Sequence, residues 1–322
     1  METLPEARHD TVLLTEAIES LMIVATDTVV DATLGGAGHF ASLLKLLGAK
    51  GKLIGIDADH AAIERAEAIR DAFPETTRPK IVLIEDNFSN LASILAQVGE
   101  ESPDKVLFDL GWSGFQLSTG RGFSFKADEP LLMTYGDPAK AETTAGDLVN
   151  HLSESSLADL IYALGEERFA RGIARSIVAH REEQPILTTF ALVTAIEAGV
   201  PNWYKHRRLH PATKTFQALR IAVNDELGAL RSGLAATISS LAPSGRVAVI
   251  TFHSIEDRIV KAMLRDAAYA GQGTLVTKKP IVASSAELLR NPRARSAKLR
   301  VFQRGDHVSH TLTTSTLSSV YA

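Results

Sequence analysis

The sequence predicts an α/β fold: a mostly parallel, doubly wound sheet of Rossmann-like type, interrupted by an inserted all-helical domain. Three observations carry this prediction. Short β-branched runs alternate with amphipathic helical stretches as far as Asp109. A glycine-rich turn joins the first strand to the first helix of that alternation. Strand signal then vanishes until a further core strand begins near Arg246. Alternation of this kind builds parallel sheets, and a gap of that length is too long for a loop in a compact domain.

Taken in order, strands are expected over 28–31 (TVVD), 52–57 (KLIGID), 81–85 (IVLIE), 105–110 (KVLFDL) and 246–252 (RVAVITF), with helices over 37–48, 59–72 and 88–98. The stretches LADLIYALG and ERFARGIARSIVAHR place apolar residues at helical spacing, so 112–212 reads as the inserted helical, substrate-recognising domain. One long helix over 213–241 returns the chain to the sheet, and Pro243 and Gly245 punctuate its end. A helix past Arg258, an extended piece at 274–278 and a last strand, AKLRVFQR, complete the sheet. The sheet domain thus comprises 1–111 and 213–304. The Ser/Thr-rich segment 305–322 is expected to be a disordered tail. No internal repeat is visible.

Composition narrows the function classes. The 322 residues are 45% hydrophobic and 22% charged, as expected of a globular protein with a sizeable core. The absence of cysteine excludes disulfides, thiolate nucleophiles and Cys-ligated metal centres. No leader pattern and no long apolar run is present, so a cytoplasmic protein without membrane contact is expected. The net charge of −4 does not announce a nucleic-acid binder. The distribution says more. Arg290, Arg293, Arg295, Lys298, Arg300 and Arg304 follow one another with no acid among them. Lys205, His206, Arg207, Arg208 and His210 form a second cluster, and Lys278 and Lys279 a third. A single cluster is usually a solvated face; three in an acidic chain point toward a phosphate-bearing partner. Arg293, Arg295 and Lys298 are the candidate contacts to such a partner.

The stretch 28–59 carries the cofactor signal. A strand ends on Asp31, glycines follow at 35, 36 and 38, and the next strand ends on Asp57. Glycines let a ligand approach the backbone closely, and a strand-end carboxylate accepts hydrogen bonds from both hydroxyls of a ribose. Two cofactors compete. Gly36-Ala37-Gly38-His39-Phe40-Ala41 matches the dinucleotide pattern G-x-G-x-x-A, with Asp57 about 20 residues on, as NAD requires. S-adenosylmethionine (SAM) instead suits an acid at the end of the first strand, near its amino-acid end, and Asp31 answers to that. An anionic pyrophosphate has no use for such an acid.

Asp109-Leu110-Gly111-Trp112 ends the fourth strand, at the carboxyl edge where open α/β sheets bind ligands. An acid, a tight turn and an aromatic are similar to the D-P-P-Y type motif of enzymes that methylate exocyclic amines. Such an amine is a poor nucleophile because its lone pair is delocalised into the ring, and an acceptor on its N–H takes up developing positive charge. The competing reading is a buried strand-end aspartate capping the next turn. Asp86-Asn87-Phe88 after the third strand suits an adenine-flanking loop, and equally a helix N-cap. His206 and His210 stand i, i+4, but no acid or third ligand lies near in sequence, so no metal site is expected. His253, with Glu256 and Asp257, ends another strand, as a site residue or as a cap.

The blocks HDTVLLTEAI, DATLGGAGH, IGIDAD, DNFSNL, DLGWSGFQL, RGFSF, GEERFARGIAR, HPATKTFQALRIAVNDEL, FHSIEDRIVK and NPRARSAKLR, in this order, cover nearly the whole chain. In them the chain resembles the ribosomal RNA small-subunit methyltransferase H family. The resemblance implies a SAM-dependent Rossmann-like fold with a helical insertion. It also implies methyl transfer to N4 of one cytidine in the decoding region of 16S rRNA, within the small ribosomal subunit. Carried over residue by residue, it assigns cofactor contacts to Ala37, Gly38, His39, Asp57, Phe88, Asp109 and Gln116, and Asp109 is the expected catalytic residue. The departures are Thr11 for Pro, Trp112 and Gly114 for Val and Ser, Ser118 for Asp, and PLLMTY at 130–135 for P-L-D-M-R-M, where Leu132 removes a carboxylate and Thr134 a guanidinium. They keep open a degenerate, non-catalytic assembly factor that binds SAM and RNA, alongside an NAD-dependent oxidoreductase on the glycine pattern alone. Monomer and homodimer are both compatible with the sequence.

Overall fold

The computed structural model describes residues 10–111 and 120–306. Gln116 and the departures Trp112, Gly114 and Ser118 lie outside the described residues, as does nearly all of the expected tail. The described residues form a seven-stranded sheet in the order β3-β2-β1-β4-β5-β7-β6. The strands are β1 (Thr28–Asp31), β2 (Lys52–Asp57), β3 (Lys80–Glu85), β4 (Lys105–Asp109), β5 (Arg246–Thr251), β6 (Gly273–Leu275) and β7 (Lys298–Arg304). β1 to β5 run parallel, while β7 lies antiparallel to both β5 and β6. Each expected strand is present within a residue or two.

The parallel strands are apolar in their interiors because both faces are covered, least completely at the edge strand β3. One face buries Val29, Leu53, Leu107 and Ile250 with Phe40, Leu43 and Leu44 of helix α2 (Gly38–Leu46) and with α1 (Leu14–Leu21). The other buries Val30, Ile54, Val106, Phe108 and Val249 with α4 (Leu91–Gln97), α11 (Glu226–Ser240) and α12 (Ser254–Tyr269). Helix α3 (His60–Asp71) follows β2 and is capped by the side chain of Asp59, which accepts from Ala61 N.

A third core is drawn from residues 123–219. It joins α5 (Ala145–His151), α6 (Glu154–Gly165), α7 (Ala170–Glu183), α8 (Thr189–Ala198), the short α9 (Asn202–Lys205) and α10 (Ala212–Val223). Helix α10 therefore packs with the helical region. The single helix expected over 213–241 is broken: Asp225 takes a left-handed conformation (φ 43°), and Asn224 donates to the carbonyls of Arg220 and Met133. Asn and Asp tolerate such a cap with little strain, whereas apolar periodicity runs through it unmarked. Helix α1 was not anticipated; the short α13 (Ser285–Arg290) closes against the N-terminal segment, where Glu287 accepts from Leu13 N.

Candidate active site

The order β2-β1-β4 reverses direction between β1 and β4, so the helices leave a crevice beyond their carboxyl ends. A cavity of about 410 Å³ opens there. Its walls carry Thr33, Gly35, Gly36, Asp57, Asn87, Phe88, Asp109, Gly111, Tyr135, His253, Arg293 and Arg295. Residues far apart in the chain therefore converge on one site.

Asp57 sits where its strand ends. Its Oδ2 accepts from Gly35 N at 2.8 Å and its Oδ1 from Asp59 N at 2.8 Å, which locks the carboxylate while it faces the cavity. Burial pushes its carboxyl up to about 6, against those two amides. Phe88 lines the wall and meets Phe108 edge to face, 5.5 Å between centroids. Asn87 lines it too and caps the following turn by accepting from Ser89 N, as the capping reading expects.

The glycine turn differs in detail from the expectation. Gly35 and Gly36 form the cavity wall, whereas Ala37, Gly38 and His39 lie behind it. Ala37 is buried at φ 60°, and a Cβ on Gly38 would sit 1.8 Å from Thr11 Oγ1. The Thr11 departure therefore packs onto the turn itself, and glycine is required at 38 by close approach.

Asp109 is held by a hydrogen bond from its own N–H to Thr33 Oγ1, 2.6 Å. Its Oδ2 stands 3.4 Å from Nδ1 of the buried His39, and among the described residues its Oδ1 has no hydrogen-bond partner. Behind this pair lies Asp31, fully buried, with Oδ1 accepting from Thr33 N and Oδ2 unpartnered. Burial pushes the Asp31 carboxyl up to about 7, against the nearby His39. Burial alone would lower His39, but its bond to Asp109 and the fields of Asp109 and Asp31 raise it. Asp31 does not reach the cavity wall; Ala32 and Thr33 stand between.

Storing Asp31 this way destabilises the fold. An acid whose folded pKa is raised loses stability as pH climbs from its unfolded value near 4 to about 7, with no further loss above that. At about 1.4 kcal/mol per unit the ceiling is on the order of 4 kcal/mol, reduced because His39 shares the proton. Asp31→Asn should therefore raise unfolding free energy by about 2–4 kcal/mol at pH 8 and by almost nothing at pH 4, read by denaturant titration at both values. A gain equal at both pH values would remove Asp31 ionisation as its cause.

On the far wall, Tyr135 donates from its hydroxyl to Glu226 Oε1 (2.8 Å), and Arg220 grips Glu226 with two bonds of 2.6 and 2.8 Å. Burial raises the Tyr135 hydroxyl well above its usual value. His253 caps α12, accepting from Glu256 N, and its Nε2 lies 3.1 Å from Glu256 Oε1. Burial would raise Glu256, but His253, the Phe252 amide and Arg220 hold it below its usual range. Glu226, His253 and Glu256 offer ligand atoms within 4.8 Å of one another. The Arg220 guanidinium already supplies the positive charge there. His206 ends α9 and His210 pairs with Glu197 at 3.4 Å while stacking on Phe125, so the two histidines do not face a common ligand.

Of the basic segment, Arg293 and Arg295 are exposed at the cavity mouth on a turn capped by Asn291. Lys298 departs from the expectation: it pairs with Asp257 at 3.0 Å, beside the buried Arg300, which holds the same carboxylate. Arg304 bonds the carbonyls of Ser239 and Leu241. These three cations fasten β7 to its neighbours.

The PLLMTY loop also resolves differently. Arg121 donates to the carbonyls of Thr134, Tyr135 and Gly136 and pairs with Asp59 at 3.2 Å. Leu132 lines a separate cavity of about 560 Å³ in the helical region, with Asn150, Arg181 and Leu187, and Thr134 is buried. The loop presents Tyr135 to the site, a residue the sequence reading did not single out; Thr33, Thr213, Gln217 and the Arg220–Glu226 pair were missed as well. The only signal for Tyr135 was the block of changes around it.

Among the described residues no helix is long and apolar enough to cross a membrane. The model of the MraW methylase family matches residues 6–305. A protein of Koribacter versatilis named Ribosomal RNA small subunit methyltransferase H is 48% identical, over 92% of this chain and 94% of its own length. The protein of that name from Deinococcus radiodurans is 46% identical, over 93% and 91%. Among solved structures, an rRNA methylase from Streptococcus thermophilus has a TM-score of 0.40 at 11% identity, covering 91% of this chain and 92% of its own. The N-methyltransferase NodS from Bradyrhizobium japonicum WM9, in complex with S-adenosyl-l-homocysteine, has a TM-score of 0.38 at 10% identity, covering 90% and 85%.

Proposed function

The chain belongs to the MraW methylase family, and from that membership we propose that it transfers the methyl group of SAM to N4 of a cytidine in the decoding region of 16S rRNA. Its full-length relatives named for small-subunit rRNA methylation support the substrate. The observation that carries the reaction is Asp109: a carboxylate at the cavity, fixed through Thr33, with an oxygen that has no hydrogen-bond partner among the described residues. The dinucleotide reading of the glycine turn is set aside with the family.

The cavity residues fit SAM. Asp57, pinned by two amides, has lone pairs left for ribose hydroxyls. Asn87 and Phe88 offer a polar edge and an apolar wall to an adenine. Asp109 on the cavity wall and Asp31 behind it place two carboxyl groups near a cofactor that carries a sulfonium and an ammonium. When bound, SAM supplies an electrophilic methyl group.

The protein's part is to make the amine a nucleophile and take its proton. Asp109 accepts a hydrogen bond from the N4 amino group, favouring the geometry in which the nitrogen lone pair leaves conjugation. As the N–C bond forms, positive charge grows on N4 and the Asp109 carboxylate opposes it. The proton leaves N4 toward that carboxylate, with His39 and Asp31 behind it holding the local charge. Tyr135, anchored by Glu226 and Arg220, walls the cavity, and Arg293 and Arg295 at the mouth answer backbone phosphates. Leu132 and Thr134 stand off this wall, which favours a working enzyme over a degenerate binding factor.

Single-turnover transfer from SAM labelled in its methyl group to undermethylated small-subunit RNA tests the reading. Label recovered as N4-methylcytidine supports it. Binding of SAM and RNA with no transfer would make the protein the non-catalytic assembly factor.

A further inference from the structure

Beyond the cavity, the helical region carries an exposed cluster in which two arginines are ordered by aromatic rings and not by acids. The Arg168 guanidinium lies 4.6 Å from the Phe169 ring centre and 5.0 Å from that of Trp203. Arg207 lies 5.5 Å from the ring of Tyr204. The three rings meet edge to face, with centroids 4.7 to 5.9 Å apart. Beneath them the buried Glu167 accepts from the Tyr204 hydroxyl (2.7 Å) and from Phe169 N (2.9 Å), which fixes both rings from below. Among the described residues neither Arg168 nor Arg207 has a side-chain hydrogen bond or ion pair. Trp203 is 53% exposed.

This arrangement has a physical purpose that packing does not explain. Both arginines are exposed, so the apolar core gains little from them. Holding a guanidinium flat on a ring removes rotamer freedom in advance while leaving its N–H fork unused. That is how phosphates are met cheaply, and an exposed indole beside it offers a stacking platform to an unpaired base.

Position ties the cluster to the active site. Glu166, two residues from Arg168, bonds Ser254 and Arg258 at the start of α12, directly after the cavity residue His253. The Leu164 carbonyl accepts from Gln217 and the Glu166 carbonyl from Lys214, and Gln217 and Thr213 line the cavity. The segment that presents Arg168 is thus bonded to one cavity residue, Gln217, and to Lys214 and Ser254, which adjoin the cavity residues Thr213 and His253.

We propose that Arg168, Trp203 and Arg207 form a docking surface for the single-stranded RNA that flanks the target nucleotide. The arginines hold two backbone phosphates and Trp203 stacks on a base. This rests on the RNA reading above and adds to it a second basic patch besides Arg293 and Arg295.

The test uses the full chain and three variants, Arg168→Ala with Arg207→Ala, Trp203→Ala, and Trp203→Phe, against small-subunit RNA and a single-stranded oligoribonucleotide. The expected results are these. All bind SAM like the wild type by calorimetry. The double arginine variant shows a log–log salt slope for RNA binding shallower by about 1.4, and a KM for RNA raised roughly tenfold or more with kcat unchanged. Trp203→Ala loses roughly tenfold in affinity with little change of slope, and Trp203→Phe restores most of it. If the wild type methylates RNA while the variants keep its slope and KM, the surface is not a docking site. If the wild type neither binds nor methylates RNA, the RNA reading falls and this proposal with it.

Discussion

Asp109→Asn should lower the rate of methyl transfer at saturating substrate by about 10²–10⁴-fold while changing SAM affinity by less than roughly tenfold. Asparagine keeps the shape of the side chain and the Thr33 anchor, which is made by the backbone N–H of residue 109. It removes the negative charge and offers an amide that cannot take a proton. In the proposed reaction the carboxylate matters most when N4 becomes cationic, so the loss is expected in kcat. Asp57, Asn87 and Phe88, the proposed SAM contacts on the cavity wall, are left in place by the substitution. Calorimetry of SAM binding beside single-turnover rates reads the two effects separately. Equal losses in both would reduce Asp109 to a cofactor contact.

The second large effect concerns the buried pair behind Tyr135. Arg220→Leu should destabilise the protein by about 3–5 kcal/mol, because Glu226 is left with its charge and, among the described residues, the Tyr135 hydroxyl as its side-chain hydrogen-bond donor. Arg220→Leu combined with Glu226→Leu should recover most of that stability, since removing both charges leaves none unpaired. The double variant still loses the acceptor of the Tyr135 hydroxyl, so its methylation rate should stay well below the wild type despite the recovered fold. Denaturant unfolding and methyl transfer on the same three proteins check this. A double variant as unstable as the single would show that the pair contributes net stability of its own.

How much of this was legible in sequence follows from range. The parallel strands were readable because strands covered on both faces are short, apolar and β-branched in their interiors, and three of them end on the candidate site acids Asp31, Asp57 and Asp109. Their convergence follows from the switch-point rule alone. The break at Asn224 and Asp225 escaped because a helix cap built on side-chain bonds to Met133 leaves the apolar period intact. The loop at 130–136 escaped because nothing local says that Arg121 will thread three of its carbonyls and turn Tyr135 to the cavity. The basic run was readable as charge but not as role. Arg293 and Arg295 reach the mouth, whereas Lys298 and Arg300 are neutralised by Asp257 from a distant helix. Ion pairs of that span are set by tertiary packing, which a count of charges cannot see.

Mass mapping of modified nucleosides in 16S rRNA tests the central claim most directly, comparing a strain that lacks this chain with the same strain expressing it or its Asp109→Asn variant. The account predicts that one cytidine of the decoding region loses a methyl group at N4 in the deletion strain, regains it with the wild-type chain and fails to regain it with the variant. N4 methylation at that cytidine that persists in the deletion strain, or returns fully with Asp109→Asn, would contradict it.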